Sequence, residues 1–262
     1  MPDFAYDLDP WVLGVLIVAI VVIPSLIGLV LFRRFVAPRL NFDVDVNDAA
    51  GAAIQAIGVF YGITVGLLAV GVWTTHANLE DLVSQEAASI AALYRDIAAY
   101  PDPPRQELQA YLRAYTQAII DVDWPAQTKG TLPDDSTDIL NRFQAILTDF
   151  EPTTKGDEIF HAEALRQYNN VITYRRERAD SVGDGLAGSM WVVIWLGALI
   201  NLSVAYFLTV DDMRIHAALV GLIAAFIGLV IFVIAVNDDP FRGSLGIDAY
   251  DYQLIIDKVM SK

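Results

Sequence analysis

The stretch AAIQAIGVFYGITVGLLAVGVWTT, residues 52–75, holds no Asp, Glu, Lys or Arg, and its reading decides the fold class. At about 1.5 Å per residue, a helix of this length covers the roughly 30 Å of a bilayer's hydrocarbon core. It lies inside a longer uncharged run from Ala49 to Leu79. Three further uncharged runs extend from Pro10 to Phe32, Gly185 to Val210 and Ile215 to Asn237. A chain that is 55% hydrophobic with a mean hydropathy of +0.44 carries more apolar surface than a soluble globule of its length needs. The reading is an all-α membrane protein with four transmembrane helices in two hairpins.

A cleavable leader requires a basic start, whereas this chain starts with Asp3, Asp7 and Asp9, so the first run reads as a retained span. Arg33, Arg34 and Arg39 follow it at once. Basic residues in a short loop mark the cytoplasmic side, which puts the N-terminus and the segment after span two on the outer side of the membrane. Arg175, Arg176 and Arg178 oppose that orientation, but they belong to a segment long enough for the rule to weaken.

Between the hairpins the periodicity stays helical. Leu79, Leu82, Val83, Ile90, Leu93, Tyr94 and Ile97 continue span two as an amphipathic helix that ends before Pro101. Leu108, Tyr111, Leu112, Tyr115 and Ile119 mark a second helix, stopping near Trp124 and Pro125. A third starts at Asp135 or Ser136, and a fourth runs from about Asp157 to Asp180. The layout is a first transmembrane hairpin at 1–75, a helical extramembrane domain at 76–184, a second hairpin at 185–237 and a tail at 238–262.

The supply of catalytic groups is poor. There is no cysteine, and His76, His161 and His216 stand far apart without a carboxylate or second histidine at metal-ligand spacing, so neither enzyme, metal nor cofactor is expected. Gly183-Asp184-Gly185-Leu186-Ala187-Gly188 has the glycine spacing of a dinucleotide turn but lacks the preceding strand, and reads as a joint before span three. Asn201-Leu202-Ser203 matches a glycosylation acceptor inside a span, where the match is accidental. A net charge of −15 makes nucleic acid an unsuitable partner and leaves membrane lipids and inorganic ions.

Span two carries the functional signal. Gly58, Gly62 and Gly66 recur every four residues, the spacing that lets helix backbones approach closely, and Tyr61 and Thr64 add polar groups within the bilayer. Small and hydroxyl-bearing residues suit a pore-lining helix, whose aromatic or aliphatic members form a dewetting constriction. No charged residue lies inside a span, which disfavours a proton pump. Glu80, Asp81, Glu86, Asp238 and Asp239 would form acidic rings in an oligomer and favour cations. Arg175 and Arg176 are the competing basic candidates.

Several fragments taken together resemble a bestrophin-like family of bacterial membrane proteins. They are Arg33-Arg34 after span one, Gly58-Val59-Phe60-Tyr61-Gly62 leading to Val72-Trp73, Glu86-Ala87-Ala88-Ser89 with Ala92-Leu93-Tyr94-Arg95, Trp124-Pro125, and Asp239-Pro240-Phe241-Arg242-Gly243. The resemblance implies a homo-oligomeric, pentameric ion channel lined by the second span. The alternative expectation is a non-conducting sensor or scaffold whose helical domain binds a partner.

Overall fold

The computed structural model describes residues 6, 8–39, 44–133, 135–183, 185–208, 210–243 and 245–261; of residues 44–46 and 135 it describes the backbone only. Asp3, Asp7 and Asp184, named above, lie outside the described residues. Among the described residues nine α-helices follow one another: α1 (Pro10–Leu31), α2 (Val44–Ile97), α3 (Pro104–Ala118), α4 (Trp124–Gln127), α5 (Asp135–Asp149), α6 (Lys155–Asp180), α7 (Gly188–Ala205), α8 (Met213–Asn237) and α9 (Tyr250–Ile255). No strand occurs among the described residues. α1, α2, α7 and α8 are long and apolar enough to cross a membrane. The chain divides into two compact units, and α2 runs unbroken from the first into the second.

The first unit comprises Met1–Thr75, Gly185–Asp239 and Gly243–Leu245. Its core joins Leu13, Ile17 and Val21 of α1 to Ile227, Ile231 and Ile234 of α8, with Val65 and Val72 of α2 and Ile194 and Leu202 of α7. Although α7 and α8 are joined by a short connection, α8 packs chiefly along α1. Gly228 explains the closeness: a Cβ there would come within 2.9 Å of the Val18 Cα. Between two helices in lipid, where hydrophobic expulsion is absent, such backbone proximity supplies the packing energy.

The second unit comprises His76–Asp184, Pro240–Arg242 and Gly246–Lys262. Ile90, Leu93 and Ile97 of α2 meet Leu108, Leu112 and Tyr115 of α3, Phe143 and Leu147 of α5, Val171 of α6 and Tyr252 of α9. Phe143 and Tyr168 stack with ring centroids 5.4 Å apart, an arrangement worth about 0.5–1.5 kcal/mol beyond its area. α6 begins at Lys155, slightly earlier than its apolar periodicity indicates, because Thr154 and Asp157 form a reciprocal capping box. The Asp157 amide donates to Thr154 Oγ1 at 3.1 Å and the Thr154 amide donates to Asp157 Oδ2 at 3.0 Å. Gly183, with φ of +83°, supplies a left-handed turn in the glycine-rich joint.

Candidate functional site

Two settings on α2 carry the chemistry: its bilayer-length portion, and a buried polar cluster on its continuation. In the first, the stripe Ile54, Gly58, Tyr61, Val65, Leu68 and Val72 is turned toward the chain's own helices. Tyr61 lies against Gly197 of α7, where a Cβ would come within 2.5 Å of the Tyr61 ring, and its hydroxyl donates to the Ile194 carbonyl at 3.2 Å. The aromatic candidate is therefore engaged inside its own chain. Thr64, Thr74 and Thr75 are exposed, but each hydroxyl donates back to a carbonyl one turn earlier, on Phe60, Val70 and Gly71. Their hydrogen-bonding need is met within the helix, and none of them requires water.

At about 100° of rotation per residue, Thr64 and Gly66 project about 160° apart. The pore candidates read from sequence thus fall into three groups. Gly58 and Tyr61 face inward, Gly62 and Gly66 lie on one flank, and Thr64 lies on the other. The face opposite the packed stripe holds Phe60, Ile63 and Leu67, which are 72%, 58% and 69% exposed. None of these three is among the pore candidates named from sequence, because an apolar residue in a span has the same composition signal whether it faces lipid, protein or a lumen.

On the continuation of α2, Glu86 was expected as an exposed rim charge and is instead fully buried. Arg178 of α6 reaches it with Nε 2.7 Å from Oε2 and Nη2 3.3 Å from Oε1. Tyr115 of α3 donates to Oε1 at 2.8 Å, and Tyr252 of α9 donates to Oε2 at 2.9 Å. Arg178 Nη1 donates to Gln127 Oε1 at 2.7 Å, and its guanidinium lies 5.8 Å from the Trp124 ring centroid. A buried ion pair persists only where its remaining donors and acceptors are satisfied, which these neighbours accomplish.

Burial pushes both tyrosine hydroxyls far up, and the Glu86 charge pushes them further. Burial opposes the Arg178 charge, but Glu86 and the two tyrosines outweigh it and hold the guanidinium well above its ordinary range. Asp123 has its carboxyl raised by burial, despite a hydrogen bond from Ser136 and the Arg178 and Arg175 charges.

The other rim candidates separate by exposure. Glu80 and Asp81 are exposed on α2, and Arg176 is exposed on α6. Arg175 is half-buried and donates to Ser136 and Thr137 at 3.0 and 2.6 Å. Asp238 is buried: its Oδ1 accepts the Leu186 amide at 2.6 Å and its Oδ2 accepts the Trp191 indole at 3.3 Å. It fastens the entry to α7, whereas sequence reading counted it as a rim charge. Asp239 is half-buried and engaged. The histidines are apart, with His161 Nδ1 2.7 Å from the Tyr100 hydroxyl and His216 Nε2 3.1 Å from the Ala205 carbonyl. Among the described residues no three His, Cys, Asp or Glu are placed to hold a metal ion.

The sequence model of the Bestrophin-like domain matches residues 19–251, a range that includes α2 and the buried pair of Glu86 with Arg178 of α6. The chain belongs to the Bestrophin-like family. No curated protein matches it. Among solved structures, two point mutants of a bacterial bestrophin homologue from Klebsiella pneumoniae are similar in fold, each at 11% identity. One has a TM-score of 0.69 with 95% of this chain and 99% of that chain covered; the other has 0.68 with 95% and 98% covered. A crystal structure of a membrane protein matches at 10% identity and a TM-score of 0.68, covering 95% of this chain and 99% of that one. In this Bestrophin-like chain the residues that sequence reading missed are Arg178 as the partner of Glu86, together with Tyr115 and Tyr252. Nothing local marks them, since the four side chains come from α2, α3, α6 and α9.

Proposed function

We propose that this Bestrophin-like chain is the subunit of an oligomeric ion channel in a bacterial inner membrane, with α2 lining the pore. The observation that supports it is the exposed apolar face of α2. Phe60, Ile63 and Leu67 stand on the side opposite the helix's own packing, while Thr64, Thr74 and Thr75 are self-satisfied. Repeated around an axis, that face forms an apolar constriction that gates by dewetting. Gly62 and Gly66 on its flank allow neighbouring copies of α2 to approach. A pentamer follows from the family resemblance, and a cation preference from the exposed carboxylates Glu80 and Asp81 and the net charge of −15.

The test is flux through purified protein in liposomes under potassium, sodium and chloride gradients, against empty vesicles. Flux above the control is expected. Leu67→Thr, which wets the constriction, is expected to raise it, and Glu80→Gln with Asp81→Asn to weaken cation preference. Absence of flux at every pH and voltage overturns the channel reading in favour of the anchored sensor or scaffold.

A further inference from the structure

Within the membrane unit, α2 and α8 leave between them an open apolar groove of about 650 Å³. Gly58, Gly62 and Gly66 form one wall and Leu222 and Phe226 the other. A Cβ added at Gly62 or Gly66 would meet nothing within 4 Å, so this backbone is bare. At the head of the groove stands Asn201 of α7, with Nδ2 3.9 Å from the Cβ position of Gly58. Asn201 is only 7% exposed, and among the described residues its amide makes no hydrogen bond.

These two features call for the same occupant. A carboxamide withdrawn from water without a partner costs about 1–3 kcal/mol, and an acyl chain offers it neither donor nor acceptor. Bare glycine backbone gains little from fluid lipid but much from a second helix, whose close approach supplies dispersion contacts and brings carbonyl and hydroxyl oxygens within reach. The groove contains no charge, so a charged or soluble segment has no complement there.

We infer that the groove is the seam between two copies of this chain, and that it receives the flank of the neighbour's α2 that bears Ile57 and Thr64. The inference rests on the proposed ring of α2 helices and names its contact. With the Phe60, Ile63 and Leu67 face turned to the axis, Gly62 and Gly66 lie on one side of each helix and Ile57 and Thr64 on the other. A ring closes when the glycine flank of one copy accepts the bulkier flank of the next. Such a contact is heterologous and repeats around a closed ring. Thr64 and Gly66 are two positions apart, so in a parallel ring they differ in height by only about 3 Å. The seam completes Asn201 with an oxygen from the neighbour.

The chain has no cysteine, which makes the test direct. Thr64→Cys and Gly66→Cys are placed together in the full chain, reconstituted in liposomes and oxidised. The two positions face opposite ways on one helix and cannot bridge within a chain. A ladder at integer multiples of the chain mass is expected. The pair Val15→Cys with Ile20→Cys, exposed positions of α1 that project about 140° apart and so cannot bridge within a chain, is expected to give none. Adding Asn201→Leu to the seam pair is expected to weaken assembly about three- to tenfold, the worth of an interhelical polar contact in membranes, while Asn201→Gln preserves it. No ladder from the seam pair, or an equal ladder from the α1 pair, overturns the inference, and a groove filled by lipid gives that result. Flux without a ladder overturns the seam and leaves the channel. A ladder without flux overturns the channel and leaves the seam.

Discussion

Arg178 Nε lies 2.7 Å from Glu86 Oε2, and the two side chains are 1% and 0% exposed. The pair ties α6 to α2, and through Tyr252 it also ties down the C-terminal helix α9. Buried pairs of this kind contribute little over a well-packed apolar substitute, yet removal of one partner leaves a charge with no counterion.

Glu86→Ala or Arg178→Ala alone is accordingly expected to cost about 3–5 kcal/mol, seen as a fall in melting temperature of roughly 10 °C. Arg178→Met combined with Glu86→Leu is expected to recover most of the loss. Thermal unfolding of the four proteins in one detergent checks this, and a double variant as unstable as the singles would show that the hydrogen bonds, not the uncompensated charge, dominate.

Tyr252→Phe removes one donor from the buried carboxylate and leaves the packing against Trp124, whose ring centroid is 5.8 Å away. The expected cost is about 1–3 kcal/mol, concentrated locally. Hydrogen exchange across residues 250–260 is expected to accelerate more than exchange in α3, and uniform acceleration would refute a local role.

Two groups give the second unit a pH dependence of opposite sign. Burial lowers the pKa of His161 from its ordinary 6.5, so the unfolded chain protonates first on acidification. Its contribution is complete above about pH 6.5 and is lost as pH falls from there through the lowered value. Burial, then the Glu163 charge, raise the Asp96 carboxyl against partial relief from Arg166. Its contribution is complete below the ordinary Asp range and is lost as pH rises through the raised value. His161→Gln is expected to flatten the acid limb of melting temperature against pH. Asp96→Asn is expected to raise the melting temperature at pH 7 and leave it unchanged at pH 3.

Asp238→Asn exchanges an acceptor for a donor opposite either the Leu186 amide or the Trp191 indole. A stability loss of about 1–3 kcal/mol is expected, with reversal potential unchanged. Glu80→Gln and Asp81→Asn, at exposed positions, are expected to show the reverse pattern. A reversal potential that follows Asp238 would restore it as a rim charge.

The membrane spans, the helical character of the middle segment and its proline-marked ends are all legible in the sequence. Each is set by local chemistry: an uncharged run of bilayer length, a period near 3.6, or a ring that cannot continue a helix. The start of α6 was nearly legible, since Thr154 and Asp157 stand at capping-box spacing. Family membership was legible too, through fragments such as Gly58-Val59-Phe60-Tyr61-Gly62 and Asp239-Pro240-Phe241-Arg242-Gly243.

What tertiary structure alone decided is which side chains those helices bury and against whom. Glu80 and Glu86 are alike in sequence, yet one is in solvent and the other is enclosed by Arg178, Tyr115 and Tyr252 from three distant helices. Tyr61 and Phe60 are adjacent, yet one is locked on Gly197 and the other is 72% exposed. Composition and periodicity report the solvent a segment lives in. The partner of an individual side chain depends on how the helices are set against one another, through contacts such as Gly228 on Val18, and such pairings between distant residues leave no local trace in the order of residues.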